Sequence, residues 1–164
     1  MTTKITLNNL QSTIIFGKCF ADTLKHLHLT CFCFKGTLGA GKTTITRAIV
    51  ESLPNGDSAE ISSPSFTICN IYQTKPPVHH YDLYRLPMGN VPEELEESLE
   101  NENVLTILEW SEHLPAQLVP AKAVLCEITV NVKEEIRVLS LQSGHAESTE
   151  FINRLVKKFN ECQK

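Results

Sequence analysis

Gly36-Thr37-Leu38-Gly39-Ala40-Gly41-Lys42-Thr43 fits the pattern G-x-x-x-x-G-K-[ST] at every fixed position. Just before it, Leu29–Phe34 is a short apolar run that reads as a buried strand. Just after it, residues 41–53 place Ile45, Ala48, Ile49 and Leu53 on one side and read as a helix, closed by the turn signal Pro54-Asn55-Gly56. Strand, glycine turn and helix in that order make a cradle for phosphate. Glycines let successive backbone N–H groups turn inward without Cβ clashes, and the helix N-terminus adds partial positive charge. Lys42 is placed to reach the β- and γ-phosphates of a nucleotide, and the Thr43 hydroxyl to bind Mg²⁺. The four fixed positions match by chance in under ~1% of chains this long. The chain has only seven glycines, and three of them lie in this turn.

Outward from the cradle, 164 residues predict a single domain over 1–164, long enough to bury a core without disulfides. Fifteen Lys and Arg against nineteen Asp and Glu give a net charge of −4, which argues against a dedicated nucleic-acid-binding module. The N-terminal residues lack the apolar stretch of a secretory signal, and no run approaches the ~18 residues that span a bilayer. The expectation is a cytoplasmic protein that does not enter the membrane. The six cysteines form no CxxC pair and no zinc-type spacing, so they read as free thiols, with Cys31 and Cys33 sharing one face of a strand.

The remaining pattern predicts a mixed α/β unit. Phe16, Phe20, Leu24 and Leu27 mark a helix over 13–28 with Ser12 or Thr13 as N-cap. Strands are expected at Phe66–Tyr72, Val78–Leu83 and Val104–Leu108. An acidic helix follows over 92–102 with Pro92 near its first position, and Ala123–Val132 with Ile136–Leu141 form an antiparallel hairpin. Phe151, Leu155 and Phe159 mark an amphipathic helix over 147–164. The expected fold is a three-layer α/β domain of the P-loop NTPase type with a mixed, partly antiparallel central sheet.

Hydrolysis needs more than a cradle: a further carboxylate and a group that orients water. Asp82 and Glu109 stand at apparent strand ends, where parallel strands present residues to a ligand crevice. Both are therefore candidates to converge beside Thr43, the alternative being a solvated surface. Trp110, the sole tryptophan, reads either as core or as nucleotide-facing, and Arg85 either as the partner of an acidic neighbour or as a phosphate contact. His80 reads as structural, on the same face as Asp82. Glu93, Glu94, Glu96, Glu97, Glu100 and Glu102 make a solvated helix face or a docking surface for a basic partner, and a poor landing place for tRNA.

Leu38-Gly-Ala-Gly-Lys-Thr-Thr44, Ser63-Pro64-Ser65-Phe66, His80-Tyr-Asp-Leu-Tyr-Arg-Leu86 and Leu108-Glu-Trp-Ser-Glu112, in that order, resemble the TsaE (YjeE) family over about residues 10–140. The family comprises small P-loop ATPases of bacterial tRNA threonylcarbamoyladenosine synthesis. The resemblance implies ATP hydrolysis in support of the TsaB–TsaD heterodimer, which modifies adenosine 37 of tRNA, with tRNA met only through that complex. It places Leu38, Gly39, Ala40, Gly41, Lys42, Thr43, Thr44 and Trp110 on the nucleotide, and Thr43, Asp82 and Glu109 around Mg²⁺. Lys42, Asp82 and Glu109 become the catalytic set, and Ser63, Pro64, Ser65 and Phe66 a switch loop. Two positions depart from the pattern: Thr37, where the family often has Asp, and Ser65, where it has Thr. No Arg is expected in or beside the cradle, so slow hydrolysis alone and stimulation by a partner are expected. The rival readings are a small-molecule kinase, for which no Arg-rich lid is visible between 86 and 120, and a nucleotide-gated binding module with little hydrolysis.

Overall fold

The run that precedes the glycine turn divides its side chains between two cores. Phe32 and Phe34 face one side of a sheet and Cys31 and Cys33 the other, as the two-residue period of a strand requires. The computed structural model describes residues 2–57, 59–64, 67–87, 90–131, 133 and 135–163. Its elements are β1 (Thr3–Leu7), α1 (Leu10–Leu24), β2 (Cys31–Lys35), α2 (Lys42–Ser52), β3 (Cys69–Tyr72), β4 (Val78–Asp82) and α3 (Glu93–Glu100). There follow β5 (Leu105–Glu109), β6 (Val124–Asn131), β7 (Ile136–Gln142) and α4 (Ala146–Cys162), with 3-10 turns at Ser111–His113 and Ala116–Leu118.

The seven strands form one sheet in the order β1-β7-β6-β2-β5-β4-β3. Around the cradle strand the pairing is parallel: β2 lies between β5 and β6, and β4 runs beside β5. Toward both edges it is antiparallel, through β3–β4 on one side and β6–β7 and β1–β7 on the other. Helices cover both faces. On the Phe32/Phe34 side, α1, α2 and α4 bring Phe16, Phe20, Ile45, Ile49, Phe151 and Phe159. Phe20 meets Phe32 edge-on at 5.2 Å and Phe151 at 5.1 Å between ring centroids. Each such buried ring contributes about 1.5–3 kcal/mol of transfer free energy. On the other side, Leu95 of α3 and Leu114 pack on Cys31, Cys33, Tyr81 and Leu108. All six cysteines are free thiols, as expected, with the Cys31 and Cys33 sulfurs 3.5 Å apart.

Four local expectations need correction. The first helix starts at Leu10 rather than 13 and ends at Leu24 rather than 28. Its N-cap is Asn9, whose side chain accepts from Ser12 N at 2.8 Å while Ser12 Oγ accepts from Asn9 N at 3.1 Å. Leu10 is 64% exposed and the residues of this turn that are buried, Ser12 and Thr13, are polar, so no apolar stripe marks it. The acidic helix runs Glu93–Glu100 rather than 92–102, with Pro92, expected near its first position, as the N-cap directly before it. β1 adds a strand the hydrophobic pattern had not suggested; its Ile5 and Leu7 are buried against the core while Thr3–Leu7 pairs with β7. Finally, β3 begins at Cys69, and Phe66, the expected first residue of that strand, lies outside the described residues.

The cradle helix is set by one close approach. A β-carbon on Gly17 of α1 would stand 2.1 Å from the Ala48 carbonyl oxygen of α2, so only glycine admits this helix spacing. Among the described residues no helix is long and apolar enough to cross a membrane.

Candidate functional site

The glycine turn has the backbone that its composition demands. Gly39 and Gly41 take φ of 78° and 100°, left-handed values that side chains rarely adopt. Gly41 is the N-cap of α2 and offers no side chain, so the first N–H groups of the helix are left to a ligand. Lys42 folds back over the turn. Its Nζ donates to Gly36 O at 2.7 Å and to Thr37 O at 3.0 Å, and it stands 3.7 Å from the centroid of the Trp110 ring. Two of the three ammonium donors are thus spent on the loop, and the third side of the charge faces the aromatic ring. Burial pushes the Lys42 pKa below its ordinary value, against the opposing pull of Glu109, Glu112 and Asp82.

The parallel register brings the two strand-end carboxylates to this turn. Asp82 and Glu109 are partners across β4 and β5, and β5 runs beside β2, whose last residue leads into the loop. Thr43 Oγ1 donates to Glu109 Oε2 at 3.0 Å, joining residues 66 apart in the chain. Asp82 accepts from Ser63 Oγ at 2.5 Å and from Tyr84 N at 3.0 Å. A cleft of about 290 Å³ is lined by Leu38 to Thr44 on one wall and by Ser63, Asp82, Glu109 and Trp110 on the other. The solvated-surface alternative for the carboxylates is therefore overturned: Asp82 is 6% and Glu109 2% exposed.

Other expected residues fall as follows. Trp110 takes left-handed backbone, packs on Tyr84 at 4.8 Å and covers Lys42, so it serves both packing and the cleft. Of the expected switch loop, Ser63 reaches Asp82 and the Pro64 carbonyl accepts from Ile68 N, whereas Ser65 and Phe66 lie outside the described residues. His80 is structural in the sense of being fully buried, yet its Nε2 is 2.8 Å from Glu109 Oε1, a pairing that spacing alone does not reveal. Arg85 is exposed on the turn after β4.

The expectation that no arginine stands beside the cradle is wrong in space. Arg137, from β7, packs against the helix N-cap, where a β-carbon on Gly41 would stand 3.4 Å from its Nε. It lines a second cavity, of about 130 Å³, with Asn9, Leu10, Thr13, Gly41, Thr44 and Ile45. This cavity and the carboxylate cleft share Gly41 and Thr44, and in the sheet β7 lies on the β6 side of the cradle strand while β5 and β4 lie on the other, so Arg137 comes from the side away from Asp82 and Glu109. Nothing in the sequence near Gly41 signals it, because β7 reaches the site only through β6.

The donor set suits a hard divalent cation carried with a nucleotide. Thr43, Asp82 and Glu109 offer oxygen ligands only, and among the described residues no group of three or more His, Cys, Asp or Glu is assembled to cage a metal. Magnesium characteristically takes one or two carboxylates and completes its shell with phosphates and water.

Comparison with known proteins bears on the fold and the family. The crystal structure of Bacillus subtilis YdiB superposes with a TM-score of 0.71 at 22% identity, covering 96% of this chain and 95% of that one, which fits the P-loop NTPase-like fold. A Rickettsia prowazekii protein named tRNA threonylcarbamoyladenosine biosynthesis protein TsaE is 38% identical over 133 residues, spanning 77% of this chain and 85% of its own. A Haemophilus influenzae protein of the same name is 37% identical over 109 residues, spanning 62% and 66%. The model of the family described as threonylcarbamoyl adenosine biosynthesis protein TsaE matches residues 7–138, from the end of β1 into β7 and so across the cradle, both strand-end carboxylates and Arg137. The chain belongs to the TsaE family.

Proposed function

We propose that this protein is a Mg²⁺-dependent ATPase whose hydrolytic cycle supports the TsaB–TsaD heterodimer in threonylcarbamoylation of adenosine 37 of tRNA. The observation that carries the reading is the Thr43–Glu109 hydrogen bond, which ties the first turn of the cradle helix to a buried strand-end carboxylate inside one cleft. In this reading the amides from Gly39 to Thr44 take the β- and γ-phosphates, and the Lys42 ammonium joins them by exchanging the Gly36 and Thr37 carbonyls for phosphate oxygens. Thr43 donates its proton to Glu109, which leaves its lone pairs for a cation, and Asp82 completes the oxygen donors. Mg²⁺, when bound with ATP, neutralises charge that builds up on the phosphate oxygens. Glu109, held at both oxygens, orients the attacking water. Arg137 and Thr13 serve the far end of the nucleotide, the ribose and base, since their cavity opens on the other side of Gly41 and Thr44. With Arg137 on that side, no described arginine lines the carboxylate cleft. A cation supplied by the partner would then accelerate turnover by about 10³–10⁵.

The test is hydrolysis and nucleotide binding measured together, with and without TsaB and TsaD. Glu109→Gln should bind ATP as the wild type does and lose about 100-fold or more in kcat, while Lys42→Ala should lose both. Retained turnover in Glu109→Gln, or transfer of phosphate to a metabolite in place of water, would end the hydrolytic reading. No stimulation and no nucleotide-dependent association would remove the partner.

A further inference from the structure

Glu109 has two holders, and only one belongs to the cradle. Thr43 takes Oε2; Oε1 is 2.8 Å from His80 Nε2, with the imidazole fully buried and Glu109 2% exposed. The other ring nitrogen, Nδ1, lies 3.4 Å from the Tyr72 hydroxyl, which is itself 3.3 Å from the Ser62 carbonyl oxygen. Ser62 belongs to the stretch that reaches the cleft through Ser63 and Asp82. The same stretch is tied to the cradle helix by Arg47 Nη2, 2.6 Å from Ile61 O. Asn70 Nδ2 also donates to Ser62 O, at 3.1 Å.

We propose that His80 is a positioning residue for Glu109, and that Tyr72 sets the His80 ring and so couples the Ile61–Pro64 segment to the carboxylate. The inference rests on the hydrolytic role given to Glu109 above. A carboxylate oxygen accepts only, so Nε2 carries a proton. In the neutral ring Nδ1 is then bare and needs a donor, and the Tyr72 hydroxyl is the group within reach. Tyr72 has one proton and two acceptors. Directed to Nδ1, it locks the ring in the form that donates to Glu109. Directed to Ser62 O, it leaves Nδ1 without a donor and the ring held only from the Glu109 side, so the aim of the Nε2 proton at Oε1 loosens. The position of the Ser62 carbonyl therefore decides how firmly Glu109 is aimed. A segment that moves with nucleotide or partner transmits that movement to the water-orienting group through two buried side chains. A misaimed catalytic group costs rate without costing binding.

The experiment uses the full chain and two readouts. Nitrogen-15 spectra of the His80 ring report where its protons sit, independently of any turnover. Hydrolysis kinetics, with ATP binding followed through Trp110 fluorescence, report the consequence. Expected is a ring protonated at Nε2 in the wild type and in Tyr72→Phe, with the Nδ1 resonance of the variant shifted by loss of its donor. In the kinetics, kcat should fall about 3–10-fold in Tyr72→Phe and about 10–100-fold in His80→Ala, with ATP affinity within about twofold of wild type. His80→Gln, whose amide can still donate to Oε1, should recover most of the loss, and with Tyr72→Phe it carries the test if His80→Ala does not fold. A wild-type ring protonated only on Nδ1, an unchanged kcat in His80→Ala, or binding and kcat lost together without recovery in His80→Gln would overturn the proposal. If the wild-type protein hydrolyses no ATP, the hydrolytic reading falls while the ring spectra still decide whether His80 and Tyr72 hold Glu109.

Discussion

Replacing Gly17 with alanine adds one carbon where α1 and α2 meet, and the structure sets its cost. The new β-carbon would lie 2.1 Å from Ala48 O, 2.4 Å from Ala48 C and 3.0 Å from Ala48 Cβ. Two of these atoms are backbone, so no side-chain rotation relieves the clash. To reach ordinary contact the helices must part by more than about 1 Å in a core packed like a crystal. Overpacking of this kind costs about 1–3 kcal/mol and sometimes more, of which alanine's better helix propensity returns up to about 1 kcal/mol. Since backbone atoms make the clash, the upper end applies, and a net loss of about 2 kcal/mol corresponds, for a chain of this size, to a Tm lowered by about 4–8 °C. Because α2 carries Lys42 and Thr43 in its first turn, the displacement also moves the cradle, and ATP affinity should weaken alongside. Gly144→Ala is the control: nothing lies within 4 Å of its added carbon, and its Tm should stay within about 1 °C. Calorimetric melts of both variants decide the matter. A Gly17→Ala protein that melts with the wild type would refute the helix spacing on which the cradle's position rests.

Burial lowers the Lys42 pKa below its ordinary 10.5, so between the two values the unfolded chain holds more protons than the folded one. The stability of the wild type minus that of Lys42→Met, from urea midpoints without nucleotide, should therefore climb as pH rises toward 10.5; a flat or falling difference would contradict the burial of the charge. Arg137→Ala should weaken ATP binding about 10-fold or more while leaving kcat at saturation near wild type, the signature of a lost charge-assisted contact away from the reacting phosphate; a kcat collapse would instead place Arg137 at the γ-phosphate. Iodoacetamide should label exposed Cys162 first. Its neighbour Cys19, with a thiol pushed up to about 12 mainly by burial, should react only on unfolding. Mass spectrometry of a time course would show the reverse order if the two helices were not packed as described.

Much of this architecture was legible because local rules and global fold agree around the cradle. Gly36 to Thr43 specified its own backbone, the alternation in β6 and β7 announced a hairpin, and the Phe151–Leu155–Phe159 stripe announced a helix that does pack on Phe16 and Phe20. Asp82 and Glu109 were legible as a pair only because strand ends in parallel sheets point at one crevice. What escaped has a common cause. β1 is only five residues long, and its edge position depends on β7, more than a hundred residues away. Asn9 caps a turn with no apolar stripe to mark it. Arg137 and the His80–Glu109 contact arise from strand order and register, which no window of sequence contains. The parallel register puts His80 opposite Ile107 and Asp82 opposite Glu109, yet His80 reaches Glu109 diagonally, a neighbour relation that periodicity within β4 cannot express.

The pairing of β1 with β7 has a consequence for how the protein is made. The cavity beside Gly41 takes Asn9, Leu10 and Thr13 from the segment after β1 and Arg137 from β7, and the ladder from Thr3↔Leu141 to Leu7↔Arg137 holds the two together. During synthesis, the first strand must wait for the seventh to emerge before it has an edge to join. Tight nucleotide binding would thus wait for β7, and ATP would select molecules in which β1 and β7 have already paired.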